Sequence, residues 1–311
     1  MSGCCIACGG ELRPWQTVTD RVTGLGSFPL SRCRQCLSLM MEPMPAEEEL
    51  ERYYPSPYWY QESNATWLAR LEGGYRRLVL YDHVRFVAGF LRQRSRVLDI
   101  GCGSGTFLYL LQKKGHQVLG IDVSRDAAAE AKRSYGIEVK IGSLAQHAEA
   151  LRKWAPEVVT MFHVLEHLVD PVAALRKAGS VMPAQGQLFL QVPSIDSWQF
   201  RIFKTRWRGL DVPRHLVNYT AKGLDAVMSE AGFHVTHRKH FSLRDDSPCW
   251  VSSLFLSTDP ADRRMKGKNS RSANLLYAAM VAAMQPLAAV ESLFGAGGTL
   301  FVRAVKRESA R

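Results

Sequence analysis

The sequence is short of uninterrupted apolar stretches. Its longest candidate for a membrane span, Leu275 to Phe294, covers twenty residues but is broken at Gln285-Pro286 and charged at Glu291. The two halves of about ten residues are each too short to cross a hydrocarbon core about 30 Å thick. The amino-terminal stretch likewise carries no apolar run of the kind a secretion signal needs. Cysteine is scarce beyond the start: five of the seven lie before residue 37. Without an export signal that distribution suits a metal site better than a disulfide framework, so a reducing, cytoplasmic setting is expected.

Acidic residues are sparse at the far end. Residues 260–311 carry nine basic and three acidic side chains, net +6, whereas residues 1–60 carry five and seven, net −2, in a chain of net charge +11. A basic surface favours phosphate-bearing or membrane-surface partners without naming one, and a plain solvated basic face accounts for it as well. An apolar content of 46% with 22% charged residues excludes a disordered chain. Its 311 residues allow one main domain and a small module.

Cys5-x2-Cys8 and Cys33-x2-Cys36 are two knuckle pairs with twenty-four residues between them. Tetrahedral zinc takes four thiolates, which two such knuckles supply from two hairpin turns. The gap exceeds the usual spacing of about 15–20 residues, but TVTDRVTG followed by LGSFPL reads as two strands about a turn. Cys4 is a competing ligand, although only Cys5 keeps the knuckle spacing. A site closed by Cys5, Cys8, Cys33 and Cys36 leaves no open coordination position, so the zinc is expected to be structural and its loss to unfold residues 1–42 alone.

The chain is organised around Arg96-Val-Leu-Asp-Ile-Gly-Cys-Gly-Ser-Gly105, a buried strand running into a glycine-rich turn and then a helix from Thr106. Glycines at alternate positions let the backbone turn tightly and approach a ligand, and the helix start offers free N–H groups. Asp99, two residues before the first glycine, would repel a pyrophosphate and suits a cationic ligand. A second apolar strand ends in Asp122, where an acid can accept both hydroxyls of a ribose. The stretches VLDIGCGSGTFL and GIDVS resemble the first two motifs of the class I S-adenosylmethionine (SAM) methyltransferases, over roughly Val97 to Val192. That resemblance implies a doubly wound, Rossmann-like, seven-stranded sheet. It also implies a SAM site with the methionine end near Asp99, Gly101 and Gly103 and the ribose on Asp122, with Cys102, Gly105, Val123, Phe162 and His163 completing it. Ser143 departs from the acid the family often carries for the adenine amine.

Residues 43–95 read as a linker, with an aromatic run Tyr53 to Tyr60, followed by a helix over 65–92. The alternation of strands and helices after residue 96 argues a parallel sheet, so 96–311 is taken as the methyltransferase domain. Within it 194–219 is a long basic and aromatic insertion, expected to be a lid, and 273–297 a pair of helices capping the substrate cleft. The alternative for 263–294 is peripheral membrane attachment, because Arg263, Arg264, Lys266, Lys268 and Arg271 precede the apolar stretch and Arg303, Lys306 and Arg307 follow it.

Chemistry is expected at the carboxyl rim of the sheet, where His163, Glu166 and His167 follow the strand ending at Phe162. His163-x-x-Glu-His also fits an inverted zincin pattern, but a strand end is the wrong context. VLEHLVDP resembles the corresponding motif of ubiquinone-type O-methyltransferases; there position 163 is often acidic, and His163 departs from it, so metal-assisted catalysis is not expected. His215 is the first choice of general base, as a lid residue meeting substrate on closure, with His167 and His163 as the others. The acceptor is expected to be a small molecule bearing a hydroxyl, on a sugar, a lipid-linked compound or a secondary metabolite. The alternatives are an RNA methyltransferase using the zinc module and aromatic loop, which the net acidic module and the absence of an Asn-Pro-Pro-Tyr tetrad disfavour, and a non-catalytic SAM-binding scaffold.

Overall fold

The computed structural model describes residues 3–54, 67–268 and 270–307. The aromatics beyond Pro55 and the start of the helix expected from Ala65 lie outside the described residues. The chain opens with β1 (Leu12–Thr19), β2 (Ser27–Cys33) and β3 (Leu39–Met41), then α1 (Trp67–Ala88). The alternating part comprises β4 (Arg96–Ile100), α2 (Thr106–Gln112), β5 (Gln117–Asp122), α3 (Arg125–Tyr135), β6 (Val139–Ile141), α4 (Ala148–Trp154), β7 (Val158–Phe162), α5 (Pro171–Val181) and β8 (Gln187–Pro193). The remainder adds α6 (Trp198–Phe203), β9 (Val217–Asn218), α7 (Ala221–Glu230), β10 (Phe233–Lys239), α8 (Asp246–Leu254), α9 (Pro260–Met265), α10 (Arg271–Leu293) and β11 (Thr299–Lys306).

Seven strands form one sheet in the order β10-β11-β8-β7-β4-β5-β6. The run β8-β7-β4-β5-β6 is parallel, and β11 enters antiparallel between β8 and β10. This is the doubly wound class I methyltransferase architecture. β7 is buried along its whole length and Val97 and Leu98 of β4 are inaccessible, as strands covered by helices on both faces must be. The helices start where their sequences say: Ser124 Oγ accepts from Ala127 N at 3.2 Å, and Asp170 Oδ1 from Ala173 N at 2.9 Å with Pro171 behind it. The strand order reverses between β4 and its neighbours β5 and β7, which opens a crevice at their carboxyl ends.

A second sheet, β1-β2-β3-β9, changes the expected domain picture. Its fourth strand, Val217–Asn218, comes from the main domain, and Leu39 pairs with Asn218. Cys5, Cys33, Cys36 and Leu39 share one buried core with Leu216, Val217 and Tyr219. The amino-terminal module is therefore completed by the main domain instead of standing beside it.

Two further expectations are corrected. The insertion 194–219 is not a free lid: Phe200, Phe203, Trp207 and Leu210 are buried, held in α6 and two short turns. The apolar stretch near the end is not a helical pair but one continuous helix, α10, with Pro286 inside it. Pro286 lacks the N–H that would bond the carbonyl four residues back, yet packing holds the helix on both sides, with Val281 before it and Ala288 and Glu291 after it buried. The argument from two short halves falls with it, since α10 has the length and hydropathy of a spanning helix, and only 11% of its most apolar window is buried.

Candidate functional site

The glycine loop is built by its dihedral angles. Gly101, Gly103 and Gly105 have φ of +73°, +52° and +72°, in the region that favours glycine. A Cβ on Gly101 would stand 2.5 Å from Val164 Cγ2, whereas one on Gly103 would meet nothing within 4 Å. Gly101 thus presses the glycine loop against the loop after β7, and Gly103 leaves open space for a ligand.

Asp122, at the end of β5, accepts Gly103 N at 2.8 Å and Ser124 N at 2.9 Å, one on each oxygen. Each oxygen keeps a further lone pair for a hydroxyl donor. Asp99 is 4% exposed and accepts from Thr160 Oγ1 at 2.6 Å. Burial raises its pKa to about 7, with Thr160 opposing and the charge of Asp122 adding. Two acidic groups close enough for the charge of one to raise the other are relieved by a cation, which fits the ammonium and sulfonium of SAM. Val123 is 79% exposed and Ile141 45% exposed, giving apolar surface beside Asp122 that suits an adenine ring.

Two residues expected at the cofactor point inward. The Cys102 thiol lies on Gly120 in the core, its pKa pushed up by burial and by Asp99 and Asp122. Phe162 packs edge-on against Phe107 and Phe301, with ring centroids 5.0 and 5.1 Å away. Both shape the loop from behind.

The three candidate histidines differ sharply. His163 sits at φ +56°, with Nδ1 3.1 Å from Glu166 Oε1 and Nε2 3.4 Å from Asp245 Oδ2. Burial opposes its charge, but Asp245 and Glu166 outweigh it and raise the pKa to about 9. An imidazolium clamped between carboxylates has no lone pair to offer at neutral pH, which removes His163 as a general base. His215 is buried, and its Nδ1 donates to the Gly209 carbonyl at 2.8 Å. Burial and the neighbouring His167 lower its pKa to about 4 against Asp211 and Glu166. It is a fixed, neutral ring and not a residue that swings over a cleft. His167 is half-buried, and its Nδ1 lies 2.9 Å from the Arg214 carbonyl and 2.9 Å from the Tyr54 hydroxyl. A carbonyl only accepts, so Nδ1 carries the proton and Nε2 holds the lone pair.

Glu166, His167 and His215 bring one ligand atom each within 4.8 Å of one another. Sequence spacing gave no hint that a residue forty-eight positions after His167 joins it. The set has the composition of a divalent-cation site and also of a proton-handling cluster. Asp245 was missed as well; its only signal was the Asp-Asp pair opening α8. Gln191 Nε2 at 2.7 Å, Ser242 Oγ at 2.6 Å and Arg244 Nε at 3.0 Å donate to it, and against its burial Arg244 and His163 hold its pKa well below the usual range.

At the amino-terminal knuckles the Sγ atoms of Cys5 and Cys36 are 3.6 Å apart and those of Cys8 and Cys33 3.4 Å, all four lying within 4.8 Å of one another. None is in a disulfide. Four thiols converging on one point fit tetrahedral zinc. Cys4 is exposed and outside the cluster. The aromatics expected to stack on RNA are mostly buried, and Trp198 packs on Phe294 with centroids 5.2 Å apart.

A family profile described as a methyltransferase domain matches residues 73–238, more than half of the chain. Over 101 residues the chain is 34% identical to the ubiquinone biosynthesis O-methyltransferase of Stutzerimonas stutzeri, covering 30% of this chain and 43% of that protein. The protein of the same name from Xanthomonas campestris pv. campestris is 34% identical over 100 residues, 31% of this chain and 42% of that protein. The match thus spans less than half the length of either relative. A SAM-dependent methyltransferase from Archaeoglobus fulgidus superposes with a TM-score of 0.50 at 18% identity, over 78% of this chain and 100% of that one, a likeness of fold.

The His163 clamp carries a pH signature. Its folded pKa of about 9 lies above the ordinary 6.5, so its contribution to stability is fully present below pH 6.5 and is lost as pH rises through about 9. Urea unfolding at stepped pH is expected to show wild-type stability falling across that window and a flatter profile for His163→Gln.

Proposed function

The chain belongs to the family of methyltransferase domains and has the class I SAM-dependent fold, and from that premise we propose that the protein moves a methyl group from SAM to a hydroxyl of a small-molecule acceptor. The observation that carries the proposal is the contact between the two loops: Val164 lies against Gly101, so the histidine and glutamate cluster adjoins the open glycine loop. The names of the curated relatives support an O-linked, small-molecule acceptor; a sugar, a lipid-linked compound and a secondary metabolite all fit. The reduced cysteine cluster supports a cytoplasmic setting.

Asp99, Gly101, Gly103 and Asp122 would hold SAM, which supplies an electrophilic methyl on a sulfonium. Transfer to a hydroxyl releases a proton, and the residues at the rim must take it. His167 is the member of its cluster least shut away, with Nδ1 fixed by the Arg214 carbonyl. Its Nε2 would accept the proton, and the buried Glu166 carboxylate would stabilise the imidazolium formed. His215 stands behind as the neutral ring packed on His167, with centroids 4.7 Å apart. The zinc held by Cys5, Cys8, Cys33 and Cys36 would fix the strand pairing of β3 with β9, and so the segment that carries Arg214 and His215.

Asp122→Ala removes an ionised acceptor, and hydrogen bonds to charged groups contribute about 1.5–3 kcal/mol. Calorimetry is expected to show SAM binding weakened about tenfold to a hundredfold; unchanged affinity, or preference for NAD, would overturn the cofactor assignment. His167→Ala is expected to lower turnover by about 10²–10⁴ with SAM affinity near wild type, assayed by transfer of labelled methyl to metabolite extracts. Full activity in that variant means that His167 is not the base. For the metal, protein purified without chelators is expected to carry one equivalent of zinc. Cys33→Ser should lose the zinc and lose turnover more than SAM affinity, and less than half an equivalent in wild type defeats the assignment.

A further inference from the structure

Helix α10 is turned inside out. Four polar residues beyond its first turn face the protein: Asn274 binds Arg263, Tyr277 OH pairs with Ser252 Oγ at 2.9 Å, Gln285 Nε2 donates to the Leu243 carbonyl at 3.0 Å, and Glu291 turns inward. Glu291 is wholly buried and accepts from Trp250 Nε1 at 2.9 Å and from Gln199 N and Nε2 at 3.1 Å each. The outward face is Leu275, Leu276, Leu287, Val290 and Leu293, 66%, 58%, 38%, 44% and 83% exposed, with alanines between them and Phe294, 70% exposed, at its end. Leu254 and Phe255, at the end of the neighbouring α8, are 47% and 52% exposed. A helix on the surface of a globular domain normally points its apolar stripe at the core and its charges at water. Contiguous exposed apolar surface of this extent marks an interaction site.

We infer that this face docks in the plane of an anionic lipid bilayer. Charge complementarity selects that occupant. Lys266, Lys268 and Arg271 are exposed where the helix begins, and between residues 263 and 294 the only acid is the buried Glu291. An apolar face bordered by basic side chains with no exposed acid suits lipid tails beneath negative headgroups. The helix lies along the surface and does not cross the bilayer, because Asn274, Tyr277, Gln285 and Glu291 tie it along its length to the body of the protein.

Flotation tests it with vesicles of equal parts phosphatidylglycerol and phosphatidylcholine, and of phosphatidylcholine alone. The full chain is expected to float with the anionic vesicles at low salt and to be released as salt rises. Leu275→Glu with Leu293→Glu should cut the bound fraction about tenfold or more, since each buried leucine contributes strongly to apolar partitioning. Lys266→Gln, Lys268→Gln and Arg271→Gln together should weaken binding severalfold for each charge removed. SAM calorimetry on these variants should match wild type, which shows them folded. Absence of flotation, equal binding to both vesicle types, or binding indifferent to these replacements overturns the proposal. A wild-type dimer that the leucine replacements split into monomers, with no vesicle binding, assigns the face to a second copy of the chain instead.

Discussion

A single buried guanidinium decides how the site is put together. Arg214 is 1% exposed, and its nitrogens lie 3.2 and 3.3 Å from the two Asp20 oxygens, 2.9 Å from Asp211 Oδ1, and 3.3 Å from both the Tyr53 carbonyl and the Thr23 hydroxyl. Removing such a charge from water costs several kcal/mol unless it is paired and hydrogen-bonded. The pairing needs residues from the β1–β2 turn, the linker and the segment before β9 at once, so these three segments are ordered together. The backbone of Arg214 accepts from His167, and the next residue is His215. The charge cluster and the cluster of Glu166, His167 and His215 therefore share a backbone.

The amino-terminal module follows from this as a wall of the site. Thr220 donates its hydroxyl to the Cys36 carbonyl at 2.5 Å and its N–H to Ser38 Oγ at 3.2 Å, and Lys222 Nζ donates to the Gln35 carbonyl at 2.8 Å. Those bonds tie the second cysteine knuckle to the start of α7, a few residues after His215. Met41 N reaches the Leu216 carbonyl at 3.0 Å, and Leu216 N reaches the Glu166 carbonyl at 2.8 Å. Main-chain bonds thus run from the module, through the residue beside His215, to the glutamate of the cluster.

What could be read from the sequence was local. The strand into Gly101, the acids at 99 and 122 and the cysteine spacing are short-range patterns whose geometry the backbone enforces, and the strands, the glycine turn and the thiol cluster stand where those patterns put them. The histidines were read by position and not by surroundings. His163 follows β7 as expected, but Asp245, eighty-two residues on, turns it into a cation, and no periodicity reports such a partner. The lid reading of 194–219 rested on the length of the insertion, whereas Phe200, Phe203 and Trp207 fill the core. Pro286 was taken to end a helix, since propensity argues that way; contacts on both sides of it overrule the propensity.

The same network that turns α10 inside out leads toward the site. Glu291 holds Gln199, whose Oε1 accepts from Trp207 Nε1 at 3.3 Å. The Trp207 carbonyl accepts from Leu210 N at 3.2 Å, and the Gly209 carbonyl between them receives His215 Nδ1 at 2.8 Å. Each member is buried or half-buried, so each needs its partner, because an unmet polar group in such surroundings costs about 1–3 kcal/mol. The segment read as a lid is in this sense a spacer of fixed length between the exposed apolar face and the neutral histidine. The bonds of that spacer run without a break from Glu291 of α10 to the ring of His215.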